Sequence, residues 1–131
     1  MRLSAAQRDE MVGHARETAP EECCGFATVR DDVVQEVVRA ENEYDSRRYG
    51  YQLDSQSMFR AWKASEEDGL AIAVYHSHPR SAAEPSQADI NLADAWPGWK
   101  HFIVSLAGDE PDVRAWRIGD GRVEEEDVVV E

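Results

Sequence analysis

The chain has 131 residues, of which 27 are aspartate or glutamate and 14 are lysine or arginine, so its formal net charge is −13 at pH 7. So acidic a composition argues against nucleic-acid binding, which requires a basic surface. The length suffices for a single hydrophobic core, and we expect residues 1–131 to form one domain.

No apolar run is long enough to cross a bilayer, and no basic, apolar leader opens the chain. The two cysteines, Cys23 and Cys24, are adjacent, and a disulfide between sequence neighbours is strained. We therefore expect a cytoplasmic protein with no membrane partner, in a reducing compartment. Cys24 is expected to be a small buried strand residue, with a redox role as the alternative.

The first part of the chain predicts a helix followed by a β-hairpin. Ser4 at the N-cap and Gln7 at the capping-box position open a helix that Pro20 closes. Two apolar strands follow, Cys23–Val29 and Val33–Ala40, joined by a short Arg-Asp-Asp turn.

A short strand and a second helix come next. The strand is Tyr49–Leu53, and Asp54 or Ser55 caps a helix that ends near Gly69. The predicted buried face of this helix consists of its large apolar side chains, Met58, Phe59 and Trp62.

The last part of the chain predicts strands around one short helix. The apolar run Leu70–His76 is a buried strand that ends before Pro79, and Ser86–Ala95 is the helix. Three further strands follow: His101–Ala107, Asp112–Ile118 and Arg122–Val130.

The segment from His76 to Asp89 carries the strongest chemical signal. Strand side chains alternate between faces, so His76 and His78 point to the same side. Asp89 falls in the first turn of the helix capped by Ser86, and the loop 79–85 can bring its carboxylate to the two imidazoles. Two histidines and one aspartate leave a fourth position open, which is typical of catalytic zinc. Ser86-x-x-Asp89 is equally a capping box, which is common without any metal.

A hydrolytic metal site also needs a carboxylate that moves protons without binding the metal. The helical His-Glu-x-x-His signature is absent, so the carboxylate must come from elsewhere in the chain. Glu22, at the start of a predicted strand, is a candidate. Spacing alone does not distinguish it from the other fourteen glutamates.

Two motifs together resemble the JAMM (MPN-plus) zinc metalloprotease family. They are Pro-x-Glu-x-Cys-Gly-Phe at residues 20–26 and His-Ser-His-Pro-x(6)-Ser-x-x-Asp at residues 76–89. The resemblance implies an α/β fold in which helices pack on a curved mixed sheet, in the three-layer, cytidine-deaminase-like architecture. In this architecture the whole chain is one metalloprotease domain.

The same resemblance implies the roles of the site residues. One Zn²⁺ per chain would be bound by His76, His78 and Asp89. Glu22 would act as acid and base, and Ser86 would help to hold the oxyanion. None of the five is substituted, which is typical of a catalytic member and not of the metal-free scaffold members.

The expected substrate also comes from resemblance. Arg47-Arg48-Tyr49-x-Tyr51-x-Leu-Asp is similar to a short, stand-alone bacterial branch that releases cysteine or similar groups from sulfur-carrier proteins. The short segment between Asp89 and Lys100 leaves no room for the insertions that grip ubiquitin chains. The implied partner is a ubiquitin-like or sulfur-carrier protein, and the bond cleaved is the amide after its C-terminal Gly-Gly.

Three alternatives remain beside this hypothesis. The chain could process or deconjugate archaeal-type ubiquitin-like modifiers, or it could be a non-catalytic MPN scaffold, which the intact Glu22 opposes. A deaminase-like zinc enzyme is the third, but that class uses Cys-x-x-Cys ligands, which this chain lacks.

The charge composition predicts how the stability of the protein depends on salt. Lys63 and Lys100 are the only lysines, and few lysines among many acids indicate adaptation to high salt, with a GC-rich genome as the alternative source of the arginines. We expect the melting temperature to rise across a salt series, because screening relieves self-repulsion. A melting temperature that stays level or falls would contradict this.

Overall fold

The computed structural model describes residues 1–131. Helices and strands follow one another in this order: β1 (Arg2–Leu3), α1 (Ala5–Thr18), β2 (Cys24–Arg30), β3 (Val33–Ala40), α2 (Ser55–Asp68), β4 (Ala71–His78), α3 (Gln87–Leu92), β5 (Lys100–Ser105), β6 (Asp112–Gly119), β7 (Arg122–Glu126) and β8 (Val129–Val130). A 3₁₀ turn, Ala93–Ala95, continues α3. None of the helices has the length and apolar character needed to span a membrane.

All eight strands belong to one mixed sheet, in the order β7-β6-β5-β4-β2-β3-β1-β8. β4 pairs with β5 in parallel, β1 pairs in parallel with β3 and β8, and the other neighbours are antiparallel. The edge strands β7 and β8 are separated by only two residues. A flat sheet of eight strands is roughly 34 Å wide, whereas this connection spans at most about 11 Å. The sheet is therefore strongly curved, which confirms the predicted architecture.

The two faces of the sheet pack against different helices. Side chains alternate along β4, so Ala73 and Tyr75 join the core under α1, while Ile72 and Val74 join the core under α2. This gives three layers, with the sheet between α1 and α2. A smaller apolar cluster beneath α3 includes Ile103. Because β4 is buried on both faces, the first part of its sequence is a continuous apolar run.

The helix starts agree with the sequence signals. Ser4 caps α1 in a complete capping box with Gln7. Asp54 caps α2, which ends at Gly69 in the left-handed conformation. Capping depends on residues three or four positions apart, so it is readable without tertiary information.

The predicted buried face of α2 is wrong. Phe59 and Trp62 are 59% and 52% exposed, and their ring centroids lie 6.0 Å apart on the protein surface. Ser57 and Ala61 face the sheet instead, with Met58 partly buried beside them. Small side chains at positions i and i+4 let the helix approach the sheet closely, a requirement that the hydrophobic pattern does not reveal.

Two strand predictions also differ from the structure. Residues 49–53 form no strand and make only an isolated bridge between Leu53 and Asn42. The predicted strand Arg122–Val130 is divided into β7 and β8, which lie at opposite edges of the sheet. Both differences follow from long-range pairing and the curvature of the sheet, which local alternation does not encode.

Gly25 in the first motif has a steric explanation. It lies in β2, between β3 and β4, and a Cβ atom at this position would overlap the Val38 carbonyl oxygen and the Tyr75 ring. We expect Gly25→Ala to lower the free energy of unfolding by about 1–3 kcal/mol, measured by urea denaturation.

Gly13→Ala is the matched control. Gly13 lies within α1, and a Cβ atom added there would meet no heavy atom within 4 Å, so its replacement should stabilise the protein by roughly 0.5–1 kcal/mol. Equal effects of the two substitutions would contradict the steric argument.

Candidate metal centre

Three predicted ligand atoms converge at the end of β4. His76 Nε2 lies 3.2 Å from His78 Nε2, and Asp89 Oδ2 lies 3.1 Å from His76 Nε2 and 2.9 Å from His78 Nε2. All three side chains are at most 4% exposed. Ligands about 2.0–2.1 Å from a tetrahedral zinc are roughly 3.3 Å apart, so this buried donor set fits a single zinc ion.

Local hydrogen bonds orient two of the three predicted ligands, Asp89 and His78. The capping box of α3 is complete: Ser86 Oγ accepts a hydrogen bond from Asp89 N–H at 3.1 Å, and Asp89 Oδ2 accepts one from Ser86 N–H at 2.9 Å. His78 Nδ1 lies 2.7 Å from the Ala82 carbonyl oxygen. Because a carbonyl oxygen only accepts, Nδ1 carries the proton, and the neutral ring presents the lone pair of Nε2 to the cluster.

The pKa values of the cluster favour the ligand forms at two of the three positions. Burial lowers the pKa of His76, which keeps its imidazole neutral. Burial of Asp89 opposes ionisation, but both imidazoles and the Ser86 amide outweigh it and hold the pKa of the carboxyl well below its ordinary value. At His78 burial lowers the pKa, but the hydrogen bonds to Asp89 and the Ala82 carbonyl together with the charges of Asp89 and Glu22 outweigh it. The pKa of His78 is therefore raised, and a proton competes with a cation there.

Glu22 lies beside the cluster, where the motif resemblance predicts a proton-transferring carboxylate. One ligand atom from each of Glu22, His76, His78 and Asp89 falls within 4.8 Å of the others. Burial raises the pKa of Glu22 to about 8, an effect that His78 opposes and Asp89 reinforces. Its buried Oε1 atom has no hydrogen-bond partner. A carboxyl group in this environment can hold or release a proton near neutral pH.

The aromatic support of the cluster was not predicted from the sequence. The Tyr51 ring, which is fully buried, stacks on the His76 imidazole with centroids 4.1 Å apart, and Trp96 also stacks on Tyr51, at 5.3 Å. In the sequence, Tyr51 stands out only as part of a resembling motif. Tyr51 contacts His76 only because of the conformation of the loop 41–54. The spacing of residues in the sequence does not predict this conformation.

Asn42 was missed altogether. Its Nδ2 group donates to the carbonyl oxygens of Glu22 at 2.9 Å and Gly50 at 3.1 Å, and its Oδ1 atom accepts from the amides of Tyr44 and Gln52. Asn42 thus fastens the loop that carries Tyr51 to the backbone of Glu22. A lone asparagine in a loop has no sequence signature for this role.

We expect Asn42→Asp to disrupt this loop. The carboxylate keeps the shape of the amide but loses both donors, which leaves two carbonyl oxygens without their partner. The free energy of unfolding should fall by about 1–3 kcal/mol, and near-ultraviolet circular dichroism should report the altered Tyr51–Trp96 stack.

Gln35→Glu is the control for the same chemical change. Gln35 is exposed, and its side chain donates only to the nearby Val33 carbonyl oxygen. Its effect on stability should stay within about 0.5 kcal/mol. A similarly small effect of Asn42→Asp would show that the loop does not depend on Asn42.

The remaining histidines and the cysteines do not join the cluster. His14 Nδ1 is hydrogen-bonded to the Tyr75 hydroxyl under α1, at 2.7 Å. His101 is buried edge-on to Trp96, and burial lowers its pKa to about 4. Cys23 and Cys24 are buried free thiols whose pKa values burial raises, to about 11 for Cys23, so thiolate chemistry is disfavoured at both.

A buried cluster of two imidazoles and one carboxylate, with a proton-holding carboxyl beside it, is typical of metal-dependent hydrolases. The family model of the prokaryotic homologues of the JAB domain matches residues 4–119. The chain belongs to this family.

Similar proteins agree with this assignment. The chain is 35% identical over 124 residues to the CysO-cysteine peptidase of Mycobacterium tuberculosis, covering 92% of this chain and 84% of that protein. It is 35% identical over 113 residues to the desampylase of Haloferax volcanii, covering 81% of each.

Solved structures share the fold. The solution structure of protein DSY2949 from Desulfitobacterium hafniense superposes with a TM-score of 0.84 at 29% identity, covering 99% of this chain and 92% of that one. AF2198, a JAB1/MPN domain protein from Archaeoglobus fulgidus, superposes with a TM-score of 0.64 at 22% identity, covering 99% and 98%.

Proposed function

We propose that this chain is a zinc-dependent peptidase that hydrolyses the amide bond after the C-terminal Gly-Gly of a ubiquitin-like or sulfur-carrier protein. The convergence of the His76, His78 and Asp89 ligand atoms, with the unpartnered Glu22 oxygen beside them, carries the proposal. The relative named CysO-cysteine peptidase supports cysteine or a similar amine as the leaving group.

His76, His78 and Asp89 are the proposed ligands of one zinc ion. When bound, the zinc would polarise the scissile carbonyl and lower the pKa of a water molecule toward neutrality. Glu22 takes a proton from the attacking water and returns it to the departing amine. Burial raises the pKa of this carboxyl, which favours its protonated form, the form that delivers the proton to the departing amine.

Ser86 is the proposed oxyanion donor, and its capping role does not conflict with this. The hydroxyl oxygen accepts the Asp89 N–H through a lone pair, so its proton remains available for donation. Ser86 is exposed and lines a cavity that also contacts Glu22 and His78. Its hydroxyl can therefore hold the negative oxygen that develops on the substrate carbonyl.

We also propose how the chain is organised and where in the cell it acts. Residues 1–131 act as one domain, in the cytoplasm, where the two free cysteines stay reduced. A desampylase-like reaction is the second candidate, favoured by the 35% identity to that relative; it uses the same residues on a different conjugate. An inert scaffold would have no need for a buried, unpartnered Glu22 beside the cluster.

Glu22→Gln separates catalysis from metal binding. We expect this variant to bind zinc stoichiometrically. The substrate is a sulfur carrier joined through its terminal glycine to cysteine or lysine. The variant should cleave it at least about 10²-fold more slowly than the wild type, because glutamine transfers no proton. Metal content and product release would be measured on the same preparation. Undiminished cleavage would remove Glu22 from this role.

His76→Ala is the companion variant, and it should lose both zinc and cleavage, because one of the three ligands is missing. Full zinc occupancy in His76→Ala would contradict the ligand assignment. Removing zinc from the wild-type protein with a chelator should abolish cleavage, and adding zinc back should restore it.

A further inference from the structure

A second feature lies directly beside the metal cluster. A cavity of about 340 Å³ is lined by Glu22, His78 and Ser86, and Arg48 and Arg80 also line it. A substrate bond held at the cluster would therefore lie next to this cavity. Cavities of this size are typical of small-ligand sites.

The two arginines have no partner on the protein, although acids outnumber bases 27 to 14. Arg48 and Arg80 form no salt bridge, whereas Arg39 and Lys100 each bind two carboxylates. The only acidic residue in the cavity wall is Glu22, whose carboxyl is assigned to proton transfer. The cavity thus carries two unneutralised guanidinium groups within a strongly acidic chain.

Hydrogen bonds formed by neighbouring residues hold the backbone around Arg48 and Arg80 in place. The Arg47 carbonyl oxygen accepts the Glu22 N–H at 2.7 Å, and the Tyr49 N–H donates to Ser46 at 2.8 Å, so both neighbours of Arg48 are held. Arg80 lies midway between His78 and Ala82. The His78 ring donates a hydrogen bond to the Ala82 carbonyl oxygen, so the segment that contains Arg80 is closed at both ends. Guanidinium groups present forked donors that match carboxylates.

The position of the cavity indicates which carboxylate it suits. In a substrate that ends in Gly-Gly, the nearest carrier side chain is at least roughly 7 Å from the scissile bond, because each extended residue spans about 3.3–3.6 Å. When the leaving group is an amino acid, its α-carboxylate is on the carbon bonded to the scissile nitrogen, about 2.5 Å away. A carboxylate next to the reacting bond therefore belongs to the leaving group.

Resting on the proposed function, we infer that Arg48 and Arg80 form a carboxylate subsite that selects adducts whose leaving amine is a free amino acid. An isopeptide bond to a lysine side chain within a protein has no carboxylate at this position. The subsite thus favours removal of a single amino acid from the carrier over deconjugation of carrier-modified proteins.

The test compares two adducts that differ only in charge. The carrier is joined through its terminal glycine to alanine or to alaninamide, and kcat/KM is measured for the wild type and for the double variant Arg48→Gln/Arg80→Gln. We expect the wild type to prefer the carboxylate adduct by at least about tenfold. The double variant should lose this preference, while its zinc content and its rate on the amide adduct stay within about twofold.

Arg30→Gln provides the matched control, because Arg30 is an exposed arginine at the opposite end of β2 from the site. It should keep the full preference. A third adduct, whose carrier tail has its acidic residues replaced by neutral ones, distinguishes the other source of a carboxylate. If the arginine effect follows the tail acids and not the leaving group, the inference is overturned. Equal rates on both alanine adducts in the wild type also overturn it.

A binding measurement keeps the inference separate from the proposed activity. Calorimetry on zinc-loaded Glu22→Gln compares the peptide Gly-Gly-Ala with its C-terminal amide, without turnover. We expect tighter binding of the free carboxylate by at least about tenfold, lost when Arg48→Gln and Arg80→Gln are added. Equal affinities refute the subsite. Failure of the wild type to cleave any adduct refutes the proposed function instead, whatever the peptides show.

Discussion

The buried carboxylate of Asp89 is the constraint on which the site depends. An ionised carboxylate that is only 2% exposed is costly unless charged or polar partners surround it. Asp89 Oδ2 meets both imidazoles and the Ser86 N–H, so a single oxygen joins the end of β4 to the start of α3. The loop between these elements is held by the Ala82 and Ala83 carbonyl oxygens. Local capping and long-range packing thus satisfy one buried charge together.

The sheet supplies the second half of the site. Strand β2 lies between β3 and β4, and Cys24 is directly opposite His76, so the residues just before β2 reach the cluster. Glu22 is held there through both of its backbone groups: its N–H donates to Arg47 and its carbonyl oxygen accepts from Asn42. The loop 41–54 that provides these contacts also places Tyr51 against His76. The proposed proton-transferring group and the support of one proposed ligand are therefore fixed by the same loop.

The predictions that were wrong share a physical cause. The apolar pattern of α2 assigned Phe59 and Trp62 to the core, but the approach of this helix to the sheet is set by Ser57 and Ala61. Large apolar side chains stay exposed when the adjacent layer accepts only small ones. Similarly, the alternation in residues 122–130 does not show that the segment crosses from one sheet edge to the other. Both outcomes depend on partners distant in sequence.

Features that depend on close neighbours could be read from the amino-acid order. These are the common face of His76 and His78, the capping boxes at Ser4 and Ser86, and most element positions, because strand alternation and capping act over two to four residues. The resemblance of two short motifs identified the family. The folded chain was needed to show that Glu22 lies beside the proposed ligands, that Asn42 and Tyr51 support this site, and that Arg48 and Arg80 share one cavity. These contacts join segments far apart in the chain, and no local preference encodes the distance between them.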